Sequence, residues 1–114
     1  MKHYEIITRR LITSEQIDNI LTDAFEHGIS YWCGEINVIP GMNGKAFKGY
    51  ASDALTKNYA LNLYDAEGDR WRKLTLKKFL KALARFPEID FENYDSLDAD
   101  KLVQSAIFGE VIYG

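Results

Sequence analysis

Tyr59-Ala60-Leu61-Asn62-Leu63-Tyr64, then Asp65-Ala66-Glu67-Gly68-Asp69, then Arg70-Trp71-Arg72-Lys73-Leu74: this stretch decides the fold. Leu61 and Leu63 alternate with Asn62 and Tyr64, the period of a strand with one buried face. The acidic, glycine-bearing pentapeptide that follows predicts a hairpin turn, and Arg70 to Leu74 returns as the partner strand. Two antiparallel strands on a short turn need a third element to cover their apolar side, and the sequence offers candidates on both flanks.

Downstream, Thr75 can cap a helix whose apolar stripe is Leu76, Phe79, Leu80, Leu83 and Phe86, with Pro87 ending it. An acidic connection, residues 88–97, leads to Asp98 as the cap of another helix. There Ala99, Leu102, Val103, Ala106 and Ile107 keep the 3.6-residue period, and Gly109 stops it. Val111-Ile112-Tyr113-Gly114 is apolar enough to dock on the body. Upstream, Thr13 and Gln16 make a capping box ahead of Ile17, Ile20, Leu21, Ala24 and Phe25, and Gly28 stands where a helix C-terminal glycine belongs. Residues 29–39 read as a strand with Trp32, Ile36 and Val38 on one face and Tyr31, Cys33, Glu35 and Asn37 on the other. Residues 40–44 are a loop, Lys45 to Ala51 form a further strand, and residues 1–12 are a strand or extended arm. The expectation is one α+β domain over residues 1–114, an antiparallel meander of three to four strands packed with about three helices.

Composition agrees with this and narrows the function. The 114 residues are 46% hydrophobic, 27% charged and 13% aromatic, a globular balance. A single cysteine, Cys33, cannot close an internal disulfide, which fits a reducing compartment. With only His3 and His27 beside it, no ordinary four-ligand zinc site can be built, and no metal or cofactor is expected. No apolar run reaches the ~20 residues of a membrane span, and the start of the chain lacks the apolar stretch of a signal peptide. A cytoplasmic protein without membrane partners is expected.

Catalytic signatures are absent from the sequence. Cys33 in an aromatic strand reads as a small core residue rather than a nucleophile. The run from Asp65 to Asp69 fails the calcium-loop pattern, since Gly68 is fourth rather than sixth, and reads as a solvated turn. Gly41, Gly44 and Gly49 lack the lysine and helix start of a phosphate loop. No catalytic residue is assigned and an enzyme is not expected.

Charge and aromatic rings carry what remains. Residues 45–85 hold ten basic and four acidic residues, whereas residues 86–114 hold one and seven. The plain account is solvation or mutual pairing of the two segments, and the sharper one is an anion-attracting surface. Lys77, Lys81 and Arg85 form a basic ridge on the helix after Thr75. It either grips a phosphate backbone or pairs with Glu88, Asp90 or Asp100. Tyr31, Tyr50 and Trp71 beside Arg70, Arg72, Lys45 and Lys48 are the residue types of a nucleotide site, which stacks a base and holds a phosphate, and equally of a protein-binding hot spot. The sequence leaves a host protein, a small nucleotide ligand and nucleic acid open as partners, and leaves a homodimer open as well.

Ile29-Ser30-Tyr31-Trp32-Cys33, Leu63-Tyr64-Asp65-Ala66-Glu67, Leu74-Thr75-Leu76-Lys77-Lys78-Phe79-Leu80 and Phe108-Gly109-Glu110-Val111-Ile112-Tyr113-Gly114 together carry a resemblance. Over most of residues 13–114 the chain resembles a family of small phage- and prophage-encoded proteins of unassigned function. The resemblance transfers no active-site residue. It implies a phage accessory protein of the bacterial cytoplasm, an anti-defence factor acting by stoichiometric binding of a host protein or by sequestering a nucleotide signal.

Overall fold

The computed structural model describes residues 10–114, so the first nine positions of the expected N-terminal arm lie outside the described residues. Helix α1, Ser14–Asp23, begins at the capping box. Thr13 Oγ1 accepts from the Gln16 amide, and the Gln16 side chain accepts from the Thr13 amide. Its last turn then widens into a π turn, Ala24–Gly28, where the Ile29 amide reaches back five residues to the Ala24 carbonyl. Gly28 is therefore not the left-handed cap its position suggested. It is buried, and its bare Cα faces the backbone at the start of the last helix.

The sheet is a three-stranded antiparallel meander: β1 (Cys33–Val38), β2 (Leu61–Asp65) and β3 (Arg70–Leu74), in the order β1-β2-β3. The hairpin of β2 and β3 stands where the alternation put it, with Leu61 opposite Leu74 and Tyr64 opposite Trp71. β1 is shorter than expected and carries an irregularity between Cys33 and Glu35. The extra residue at Gly34 changes the parity of the strand. Cys33 stands opposite buried Asp65 and joins the inner side, while Glu35 and Asn37 stay outward. The expected strand from Lys45 to Ala51 does not form. Asn43, Gly44 and Gly49 all take positive φ, and the chain passes through short 3₁₀ turns at Met42–Gly44, Ala51–Asp53 and Leu55–Lys57.

Helix α2, Leu76–Arg85, starts at Thr75, whose hydroxyl accepts from the Lys78 amide. Helix α3, Ser96–Phe108, starts one turn earlier than expected. Asp95 is its cap and Asp98 completes the capping box, because the Asp95 carboxylate accepts from the Asp98 amide. Gly109 ends it at φ 81°, the left-handed cap the sequence indicated. The sheet's inner side (Ile36, Val38, Leu61, Leu63 and Leu74) and the three helices share one core, with Trp32, Phe79, Ile20, Leu21, Leu55 and Leu102 fully buried in it. Arg10 ties the entering chain to that body. Its guanidinium donates to the carbonyls of Leu83, Phe86 and Ile89 and stacks on the Phe91 ring, satisfying carbonyls that the end of α2 leaves free. Among the described residues no helix is long and apolar enough to cross a membrane.

Candidate functional site

Helices cover one side of the sheet, and the other side stays open among the described residues. Strand alternation presents Glu35 and Asn37 from β1, Asn62 and Tyr64 from β2, and Trp71 and Lys73 from β3 on that open side. Tyr64 and Trp71 are direct cross-strand partners with ring centroids 5.2 Å apart and planes tilted by 52°. Trp71 keeps 45% of its surface exposed. The Tyr64 ring lies over Gly34, which has no side chain to lift it off β1. The Tyr64 hydroxyl donates to the Asp69 carboxylate in the hairpin turn, a bond that pushes the phenol's pKa up. The result is a two-ring platform held at one end by a turn and flanked by amide side chains.

Charge is distributed unevenly around this platform. Between Arg70 and Arg85 the chain has seven basic residues and no acidic one. Lys73 shares the open side with Trp71, and Lys78 Nζ donates to the Lys73 carbonyl at 3.0 Å, which joins the start of α2 to the edge of the sheet. On the β1 side the charge is negative: Glu35 accepts from the Asn37 amide at 2.8 Å. Basic and acidic segments scarcely pair: among the described residues the one salt bridge is Arg70 to Asp65, at 3.5 Å. Arg85 does not meet Glu88, Asp90 or Asp100. It donates to the Ser105 carbonyl and hydroxyl of α3, both at 2.8 Å. Lys77 and Lys81 remain exposed, so two members of the expected ridge are free for a ligand and the third braces two helices.

The remaining sequence-picked residues do not converge. Trp71 is on the open side, while its neighbour Arg72 points inward, its guanidinium over the Phe108 ring at 5.3 Å and its Nε buried without a hydrogen-bond partner among the described residues. Arg70 turns toward Asp65. Tyr31 lies in the turn before β1, bonded to α3. Tyr50, 80% exposed, stands with Lys45 and Lys48 in the irregular segment after β1. A shallow cleft of about 180 Å³ borders Tyr50, lined also by Thr22, Phe25, Glu26 and Ile36. A second cleft, of about 190 Å³, sets the Arg10 side chain among Ile12, Leu80, Leu83, Pro87 and Phe91. A third, of about 340 Å³, is polar and acidic. In it Tyr94 donates to Asp23 at 2.5 Å, and burial together with that carboxylate drives the phenol's pKa strongly upward.

Sequence reasoning missed two buried carboxylates. Asp100, on α3, accepts from the Trp32 indole at 2.8 Å, the Tyr31 hydroxyl at 2.6 Å and the Gln104 amide at 2.9 Å. Desolvation, with this carboxylate beside it, pushes the Tyr31 phenol up to about 12. Gln104 in turn accepts from the Ile112 and Tyr113 amides at 2.9 and 2.8 Å, so the tail docks as expected. Asp65, expected in a solvated turn, is fully buried. The Tyr113 hydroxyl donates to both its oxygens at 2.9 and 3.0 Å, the Gly68 amide at 3.0 Å and Arg70 from the rim. Both carboxylates are enclosed by donors from the protein itself, which makes them a latch for the tail rather than acid–base machinery.

Burial disfavours the ionised form of Asp65, but the Gly68 amide, the Tyr113 hydroxyl and Arg70 outweigh it, and the net shift is downward. A carboxyl whose pKa is lower folded than unfolded adds stability above its unfolded pKa and loses it as pH falls through the folded one. Thermal melts from neutral to acid pH therefore have an expected pattern. Asp65→Asn melts lower than the wild type at neutral pH, and the gap closes below roughly pH 4, the ordinary aspartate range.

Cys33 has no nucleophile's surroundings. Its thiol donates to the Glu35 carbonyl at 3.4 Å, and burial pushes its pKa up, the reverse of activation. Among the described residues no three His, Cys, Asp or Glu side chains are grouped to hold a metal ion. No family model, curated protein or solved structure matches this chain.

Proposed function

We propose that the protein works by stoichiometric binding, without turnover, and that its binding face is the open side of the β1-β2-β3 sheet. The observation that carries this reading is the Tyr64–Trp71 pair: two rings set side by side on a surface that no described element covers. Exposed aromatic anchors ringed by polar groups are what a hot spot uses, whatever the partner. In the phage or prophage setting that the resemblance implies, such a face occupies a component of the host, in the cytoplasm, and so blunts a defence. Sequestering a nucleotide in a pocket is the weaker reading for the single chain, because Tyr31, Tyr50 and Trp71 stand at three separate places.

The test is comparative capture from bacterial lysate, with both protein and nucleic acid analysed in what is retained. A partner held one to one by the wild type and by Tyr50→Ala, but lost with Trp71→Ala, supports the open face. Equal retention by Trp71→Ala moves the site elsewhere, and a product released over many cycles ends the binding reading altogether.

A further inference from the structure

We propose that the occupant of the open face is single-stranded nucleic acid, with bases stacking on Trp71 and Tyr64 and the phosphate backbone running over Lys73, Lys78 and Lys81; this rests on the open face being the binding face. Three observations converge. The platform is two adjacent rings rather than one, their planes tilted by 52° so that each can take its own base, and it is open, suited to unstacked bases and not to a duplex whose base faces are hidden. Its polar neighbours Asn37 and Asn62 carry amides that both donate and accept, as base edges require. The charge beside it is one-sided: Lys73 on the platform, Lys78 bonded to the Lys73 carbonyl, and exposed Lys81 one turn further on α2, with Lys77 beside it.

That one-sidedness also fixes a direction. Glu35 repels phosphate from the β1 side, and Asp69 is occupied by the Tyr64 hydroxyl at the hairpin end. The backbone therefore follows β3 onto α2 while the bases turn inward across the sheet. A protein partner fits less well, because lysine is depleted at the centres of protein interfaces and three lysines flank this platform.

The experiment titrates the full chain into a labelled homopyrimidine oligonucleotide of about 12 nucleotides, a length in the usual range for single-strand binders. It is repeated over a salt series and with a duplex of the same length. Binding is expected to favour the single strand. Engagement of three lysines gives a slope of log affinity against log salt of about −2. Trp71→Ala should weaken binding roughly tenfold, while Trp71→Phe, which keeps a ring, loses much less. Lys73→Ala combined with Lys78→Ala should bring the slope to about −0.7, since one phosphate contact then remains. Circular dichroism of each variant separates loss of binding from loss of fold, and the lysine pair, wholly on the surface, gives a readout even if Trp71→Ala unfolds. Equal affinity for the duplex overturns the proposal, as does a salt-sensitive affinity indifferent to both Trp71 variants. Absence of oligonucleotide binding at low salt overturns it too. In that case the open-face reading stands if the lysate partner is a protein lost with Trp71→Ala, and falls if it is not.

Discussion

Asp100→Ala is expected to lower the unfolding free energy by about 3 kcal/mol, because the buried Trp32 indole, the buried Gln104 amide and the half-exposed Tyr31 phenol all lose a charged acceptor. The Trp32 indole N–H is the most exposed to this loss: its ring is 1% accessible and has no route to water. The Gln104 amide loses the shortest of its three acceptor contacts at the same stroke and keeps the Tyr31 hydroxyl and the Tyr113 carbonyl, both at 3.2 Å, which loosens the residue that holds the Ile112 and Tyr113 amides. For a domain of this size the fall in Tm should be about 12 °C. Denaturant titration checks it: the midpoint should drop with little change in slope if only stability is lost. Asp100→Asn keeps one acceptor oxygen and should cost less than half as much. A variant as stable as the wild type would mean that the indole and phenol find other partners, and the latch would not be what holds the tail.

Gly28→Ala should destabilise the protein by about 2 kcal/mol, against the usual direction of such a change. Replacing glycine by alanine inside a helix normally gains up to about 1 kcal/mol through backbone entropy. Here the added Cβ would sit 2.7 Å from the Ser96 carbonyl oxygen and 3.3 Å from the Asp100 amide nitrogen. Both are backbone atoms of the first five residues of α3, which cannot step aside as a flexible side chain would. The π turn and α3 must separate, and the strain outweighs the entropy. Equilibrium unfolding reads the sign directly, and a stabilised variant would show that the two segments have slack between them.

The helices and the hairpin were legible because their signals are local. Thr13 with Gln16, Thr75, Gly109, and the alternation through Leu61 and Leu63 each act within a few residues. What escaped was set by partners far along the chain. Asp65 and Asp100 looked like surface acids, since the groups that enclose them, Tyr113 for one and Tyr31 and Trp32 for the other, lie 48 to 69 residues away. A single added residue at Gly34 was enough to turn Cys33 inward, a change in register that no alternation pattern reveals. Asp95 and Asp98 are equally good caps by residue type, and only the reciprocal bonds between them select the earlier one. The expected strand from Lys45 to Ala51 had plausible residues but no neighbour to pair with, and positive φ at Gly44 just before it and at Gly49 within it breaks the extended run. At the site, Trp71, Arg70 and Arg72 were adjacent in sequence and so read as a group. The pleat separates them, and it unites Trp71 with Tyr64, which sequence reading had put in the sheet but left out of the ligand set.

The two tryptophans occupy opposite environments, Trp32 sealed beside Phe108 and Tyr113, and Trp71 on the open sheet. Their emission should divide accordingly, a blue component shielded from iodide or acrylamide and a red component that a collisional quencher removes. The molecule thus carries a built-in pair of optical reporters, one for integrity and one for occupancy, and neither needs an attached dye.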